Sequence, residues 1–461
     1  MALVSINPAT GEELQTYSEH SESEVQRILD RTVEAQKKWA ATDLGFRLNC
    51  LEQISGTLRG HKREYAVLMA QEMGKPVAQA EVEVEKCAWL CDYYHESAPE
   101  FLADKTLEIE GQKSLVTIQP IGLILGVMPW NFPFWQVFRF AIPTLTAGNG
   151  AILKHASNVQ GCALAIESCF KDSGFPEHIF QNIVLAGRDV DQIIINPAIA
   201  AVTITGSTPA GKSVAQTAGS VLKKTVLELG GSDPYIILDE ADLDKAVGSC
   251  ITGRIMNTRQ SCIAAKRLIA VDGVYDDFLI KLEQKLAEKI IGDPMDDVDI
   301  GPMVSIDARN EVHGQVLRSI DAGAELRLGG VVPETEGAYY PITLLKDVKP
   351  GMAAFDDEIF GPVFSVIQAK DEEDAIELGN QTPFGLGAAV FTQDLKKGEE
   401  IAKSGLHAGA CFVNDFVKSD PRLPFGGIKE SGYGRELSSY GMMEFVNIKT
   451  VVIKKNIIRL K

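Results

Sequence analysis

A chain of 461 residues, 45% hydrophobic and 23% charged, has the composition of an ordinary globular protein and the length for two or three domains with full-sized cores. Its formal net charge of −18 excludes the basic footprint that a nucleic-acid partner or an anionic membrane surface requires. The same charge repels an anionic substrate at long range, so a substrate with an acid tail needs a local cationic pocket.

In chain order, residues 5–13 read as a strand entering a turn punctuated by Pro8 and Gly11. Apolar residues at helical spacing predict helices over 22–41, 44–72 and 76–98. Within 104–124, TLEIEG and SLVTIQPIGLILGV suit a hairpin. From 151 to 235 strand and helix alternate: AILKHAS, a helix at 159–173, NIVLAG, a helix near 189–195, AAVTITG, a helix at 209–219, then TVLELGG and PYIIL. A second alternating stretch has a helix at 242–255, RLIAVDG, helices at 275–290 and near 306–322, EIFGPVFSVIQA, a helix at 373–379, GAAVFT, a helix at 395–404 and ACFVND. Such alternation predicts an α/β fold of parallel sheets covered by helices. The tail, EFVNIKTVVIKK, is strand-like with no obvious core partner, so pairing across subunits is expected of it. MALVSINPATGEEL shows neither a basic leader region nor an apolar run, and no stretch approaches about 18 apolar residues, so no signal peptide and no transmembrane helix are expected. The 8 cysteines are scattered without a CxxC pair, which reads as reduced thiols of a cytoplasmic protein without a metal site.

The chemistry gathers around NTRQSCIAAKR at 257–267 and LELGG at 227–231. A cysteine followed by small residues, and a glutamate on a glycine-flanked strand end, suggest a thiol nucleophile, Cys262, and its base, Glu228. Either residue alone reads as a core thiol or a surface acid. A rival motif is GSTPAGKS at 206–213, which matches the phosphate-binding P-loop pattern, follows a strand and precedes a helix; YIILDE at 235–240 resembles the acidic strand such nucleotidases use for magnesium.

Together with PWNFP at 129–133, TGSTPAG at 205–211, EIFGPV at 358–363 and PFGGIKESGYGRE at 424–436, in this order, the chain resembles the aldehyde dehydrogenase superfamily over nearly its whole length, and in detail its succinic semialdehyde branch. The resemblance implies two Rossmann-like α/β domains with a small β-stranded oligomerisation domain. Nucleotide binding would fall to 1–103 and 121–230, catalysis to 231–438, and oligomerisation to 104–120 and 439–461, in a homodimer or homotetramer. It implies oxidation of a small aldehyde, succinic semialdehyde or another semialdehyde, through a thioester on Cys262. The Asn131 side chain and the Cys262 backbone N–H would hold the oxyanion, and Glu228 would activate water. No metal is implied.

The same resemblance places Trp130, Lys154, Gly206, Ser207, Leu229, Glu358 and Phe360 on a dinucleotide. Lys154 grips the adenosine ribose, Gly206 and Ser207 begin the helix facing the pyrophosphate, and Leu229 offers backbone groups to the carboxamide. Glu358 takes the nicotinamide ribose and Phe360 packs near the ring, while Lys212 becomes a solvated helix residue. Ser157 stands where NAD-preferring members carry glutamate, His155 replaces a proline, and Arg188 follows a departure from a glycine pair. These three point to NADP, with NAD left open; Ser157 alternatively caps the next helix. Trp135 and Arg139, four apart on one helical face, line the aldehyde channel with Phe425. Arg139, whose planar fork suits a carboxylate, forms with Ser419 the clamp expected for an acid tail, the alternative being a salt bridge elsewhere. Met256 stands where the branch often has a second arginine. Arg259 replaces a glycine; it turns outward, leans on cofactor or substrate, lowers the thiol pKa, or hinders the cofactor.

Overall fold

The computed structural model describes residues 2–109 and 112–454. Lys455 of the expected tail strand, residues 456–461 of the expected oligomerisation segment, and Glu110 and Gly111 of TLEIEG lie outside the described residues.

Two helix-covered sheets dominate. The first has six strands in the order Gly432–Tyr433, Lys224–Glu228, Ile199–Thr205, Leu123–Met128, Gly150–His155 and Phe180–Asn182. All its neighbours are parallel except the short edge pair Gly432–Tyr433 with Lys224–Glu228. The inner strands are almost wholly buried, as LILGVM and GAILKH require, because a parallel sheet is covered on both faces. The chain order reverses across Leu123–Met128, which has later strands on either side. Ligands of such sheets settle at the carboxyl ends of the strands beside that reversal. Trp130 and Asn131, His155, Gly206 and Ser207, and Glu228 all sit at those ends.

The second sheet runs Glu325–Leu328, Thr343–Lys346, Val363–Ala369, Ala265–Val271, Asp233–Ile237, Gly387–Phe391 and Ala410–Val413. It is parallel apart from its first pair. Cys262 and Glu358 precede its strands Ala265–Val271 and Val363–Ala369. Carboxyl ends of one sheet therefore meet amino ends of the other.

Three expectations need correction. The helix over 44–72 is two helices, Leu44–Gly60 and Lys62–Met73, parted at His61 (φ −106°, ψ 15°), where Gly60 weakens the run. The hairpin is confined to Lys105–Ile109 and Gln112–Pro120; Gly122, at φ +129°, turns the chain so that Leu123–Met128 enters the first sheet. The tail strand Val446–Lys454 is paired within the chain, antiparallel to Gln112–Pro120 along its full length, and forms with the hairpin a three-stranded sheet. Among the described residues no helix is long and apolar enough to cross a membrane.

Candidate active site

Between the helix Leu243–Ile255 and the strand Ala265–Val271, the chain makes a tight turn at Met256–Arg259 in which Asn257, Thr258 and Arg259 have φ of 58°, 50° and 67°. Three consecutive left-handed residues without a glycine store strain that neighbours must hold. Asn257 Nδ2 donates to the carbonyls of Asn131 (2.7 Å) and Gln260 (3.0 Å), and Asn131 Nδ2 donates to the Gln260 carbonyl (2.9 Å). The Gln260 side chain accepts from Val304 N–H at 2.9 Å. Lys266 Nζ donates to the carbonyls of Ser261 (2.9 Å) and Cys262 (2.6 Å) and pairs with Glu358 at 3.0 Å. Asn257, Gln260 and Lys266 were not singled out from the sequence, although all three lie within the stretch 257–267 that drew attention to the cysteine. Asn131 Nδ2 carries two hydrogens, so one remains for a substrate oxygen.

Glu228 ends its strand buried, with neither carboxylate oxygen hydrogen-bonded among the described residues. Gly426 leaves it room: a β-carbon there would lie 2.7 Å from Glu228 Oε1. From Glu228 the chain crosses through Leu229–Gly231 into the second sheet. A β-carbon on Gly231 would lie 2.8 Å from the Cys262 carbonyl oxygen, so the strand exit after Glu228 touches the Cys262 loop. Burial pushes the Cys262 thiol up to about 12, against the pull of Lys266 and Arg139. Burial, reinforced by Glu436, raises Glu228 well above the carboxylate range, while Arg139 and Arg435 pull it back. Burial thus favours the proton-bearing form of both groups, and a carboxyl of raised pKa is the stronger base once its proton has left.

Cys262 opens onto a cavity of about 550 Å³, lined also by Trp135, Arg139, Ser419, Phe425 and Lys86. Arg139 is 2% exposed, pairs with Glu436 and lies over the Phe425 ring, 4.7 Å from its centroid. Ser419 Oγ accepts a hydrogen bond not from Arg139 but from Lys86 Nζ, at 2.8 Å. The expected Arg139–Ser419 clamp is thus corrected: both residues reach the cavity, but an internal carboxylate already neutralises the arginine. Glu436 and Lys86 escaped the sequence reading, Glu436 within a motif taken for a structural turn and Lys86 within a helix without a motif. The charged residue Glu83 accepts the backbone N–H groups of Phe134 (3.0 Å) and Trp135 (2.9 Å), which anchors the start of the helix Trp135–Thr146 that carries Arg139.

Arg259 is fully buried, and none of its guanidinium nitrogens has a hydrogen-bond partner among the described residues. It therefore neither turns outward nor stands on the cavity wall, which its neighbours Asn257, Ser261 and Cys262 form. Burial, then Arg254 beside it, depresses its pKa far below the usual value.

The cofactor side is mixed. Lys154, buried one residue before the end of its strand, has no carboxylate at ion-pair distance among the described residues, and burial lowers its pKa. Ser157 does not cap the next helix: Gln160–Asp172 begins after Val159, so its hydroxyl is not spent there. His155 corrects its expected role, because it is fully buried and bonded to main chain on both ring nitrogens, to Pro133 O and Ala156 N–H, each at 2.9 Å. Burial lowers its pKa to about 4, which keeps it neutral. Arg188 is exposed and faces Glu19 at 3.5 Å and Asp189 at 3.4 Å. Ser207 caps the helix Thr208–Ser220, accepting from Ala210 N–H, and leaves that helix start open beside Gly206. Because the helix already begins at Thr208, no loop is left to wrap a triphosphate, and Lys212 pairs with Glu430 at 2.9 Å; the P-loop alternative fails. Trp130 and Phe360 meet edge to face at 5.9 Å, and Glu358 accepts from Gly231 N–H at 3.1 Å. An open helix start for a central pyrophosphate, an unpaired lysine on one side of it and an aromatic pair beside a carboxylate on the other fit a dinucleotide.

Comparisons with known proteins agree with this geometry. The aldehyde dehydrogenase family model matches residues 2–451. The Synechocystis sp. protein named probable succinate-semialdehyde dehydrogenase (NADP+) is 46% identical over 98% of this chain and all of its own. The succinate semialdehyde dehydrogenase (NAD(P)+) of Escherichia coli is 44% identical over 97% of both chains. The crystal structure of succinic semialdehyde dehydrogenase from Streptococcus pyogenes with NADP+ superposes with a TM-score of 0.96 at 36% identity, covering 98% of this chain and 100% of that one. With its thiol and carboxylate brought together where two α/β sheets meet, this chain belongs to the aldehyde dehydrogenase family.

Proposed function

We propose that this protein oxidises succinic semialdehyde to succinate with NADP. The observation that carries the reading is the cavity itself, which has Cys262 on its wall together with cations and a hydroxyl suited to an acid tail. Relatives named for this reaction match over almost the full chain. Lys154 and Ser157 would hold the ribose phosphate of the cofactor, and Glu358, Trp130 and Phe360 its nicotinamide end. When bound, the cofactor accepts a hydride from the substrate carbon.

The chain's residues do the rest. Cys262 Sγ gives its proton to Glu228, which passes it on to solvent, and bonds to the aldehyde carbon as the carbonyl π pair moves onto oxygen. The free N–H of Asn131 and the Cys262 backbone N–H hold the negative oxygen; such donors contribute about 3 kcal/mol each. After oxidation a thioester remains on Cys262. Glu228 takes a proton from water, whose oxygen attacks the thioester carbon, releasing the acid and restoring the thiol. The test is a panel of aldehydes with NADP and NAD, followed by absorbance of the reduced nicotinamide. Succinic semialdehyde with NADP should give the highest kcat/KM; preference for an uncharged aldehyde of equal length overturns the substrate.

The division into nucleotide-binding, catalytic and oligomerisation domains belongs to this proposal, as does assembly into a homodimer or homotetramer through the three-stranded sheet. Exposed Leu107, Ile109, Ile448 and Val452 on its outer strands support such a contact. The free cysteines support a reducing, cytoplasmic setting.

A further inference from the structure

We propose that Lys86, with Ser419 beside it, is the residue that receives the carboxylate tail of the substrate. Charge pairing around the cavity points there. Five cations line it, and four have internal carboxylates: Lys75 pairs with Glu83, Arg139 with Glu436, Lys418 with Asp415 at 2.6 Å, and Arg422 with Asp420 at 2.7 Å. Among the described residues Lys86 has no carboxylate within ion-pair distance; its ammonium donates only to Ser419 Oγ at 2.8 Å. A half-buried cation on a cavity wall without a countercharge is costly until an anion arrives.

The backbone places it well. On the helix Val77–Phe101, Gln79, Val82, Glu83, Lys86 and Trp89 share one face, and all five line the cavity. The ammonium is held over the Trp135 ring, 4.4 Å from its centroid, which fixes it on the wall rather than letting it extend to solvent. Ser419 completes the receptor. Since its oxygen accepts from Lys86, its own O–H remains to donate, and a carboxylate can take one oxygen from the ammonium and the other from the hydroxyl. Burial and the neighbouring Arg139 lower the Lys86 pKa to about 8, so the group gains most when a negative charge joins it. Arg139, already paired with Glu436, is not the direct contact.

The inference rests on the proposed acid-tailed aldehyde, and the experiment separates the two. Wild type, Lys86→Met, Lys86→Gln and Lys86→Arg are assayed with succinic semialdehyde and with butanal, and succinate is titrated as a competitive inhibitor of butanal oxidation. Removing one partner of a buried charged contact predicts a loss of ~100-fold in kcat/KM for succinic semialdehyde, mainly through KM. Butanal turnover should stay within about threefold, Lys86→Arg should restore most of the loss, and succinate inhibition should weaken by a similar ~100-fold. Butanal oxidation by Lys86→Met or Lys86→Gln also reports that the variant is folded. Equal losses with both aldehydes, or unchanged succinate inhibition, overturn the role of Lys86. A wild type that does not prefer succinic semialdehyde to butanal, yet loses succinate inhibition on mutation, overturns the substrate instead and leaves Lys86 a carboxylate receptor.

Discussion

Arg139 and Glu436 form an ion pair buried behind the substrate cavity, with the guanidinium stacked on Phe425. The pair is part of the reaction's electrostatics, because Arg139 lowers the pKa of Cys262, Glu228 and Glu436 alike. Arg139→Ala should therefore reduce kcat/KM for succinic semialdehyde and butanal together, by roughly 10- to 100-fold, and cost about 3–5 kcal/mol of stability by leaving Glu436 buried alone. Steady-state kinetics and urea unfolding check this. A loss confined to the acid-tailed aldehyde would return Arg139 to the clamp that its sequence position suggests.

Cys262→Ala should abolish aldehyde oxidation while cofactor binding survives. Glu228→Gln should slow hydrolysis of the thioester more than its formation, so stopped flow should show a burst of reduced cofactor followed by a slow steady rate. The pH profile follows from the raised pKa of Glu228. A base must be deprotonated, so kcat should increase with pH, and its acid limb should lie above the usual carboxylate range. A limb at the ordinary value near about 4 would mean that the base is solvated.

The α/β alternation was legible because it has a period, and the stretches that the fold brings to one place, around Cys262 and Glu228, because each carries a local motif or a glycine-flanked strand end. Lys86 and Glu436 were not, since their meaning lies in which charge stands opposite. For Arg139 the sequence left a carboxylate clamp and a salt bridge both open, and only the fold, which brings Glu436 to it across about two thirds of the chain, decides for the salt bridge. His155 looked available, and the main chain of Pro133 and Ala156 takes both its nitrogens. The split at His61 was hidden because helical periodicity persists across one misaligned residue.

Ser157→Glu should weaken NADP binding by about 1–3 kcal/mol, the repulsion of a partly solvated like charge, and should favour NAD. Fluorescence titration of both cofactors measures it. Identical NADP affinity in the two proteins would place Ser157 away from the ribose, and would leave the unpaired Lys154 as the phosphate's sole partner there.

Arg259→Gly should stabilise the fold. The wild-type residue holds a left-handed φ of 67° and buries a guanidinium with no hydrogen-bond partner among the described residues. Relief of the backbone is worth about 1–2 kcal/mol and the orphaned donors at least as much again, against about 1 kcal/mol for the freer unfolded glycine. Urea unfolding should show a net gain of about 2 kcal/mol. A variant less stable than wild type would mean that the arginine fills space the turn depends on.

The crossing from Glu228 to Asp233 is short enough to act as a ruler. Its first residue is the proposed base, and Gly231 within it abuts the carbonyl of Cys262 and donates to Glu358. One residue added here would shift Glu228 relative to the Cys262 loop and break the contact of Gly231 with Glu358. Along this single stretch, the spacing of the reaction centre is written directly in the count of peptide bonds.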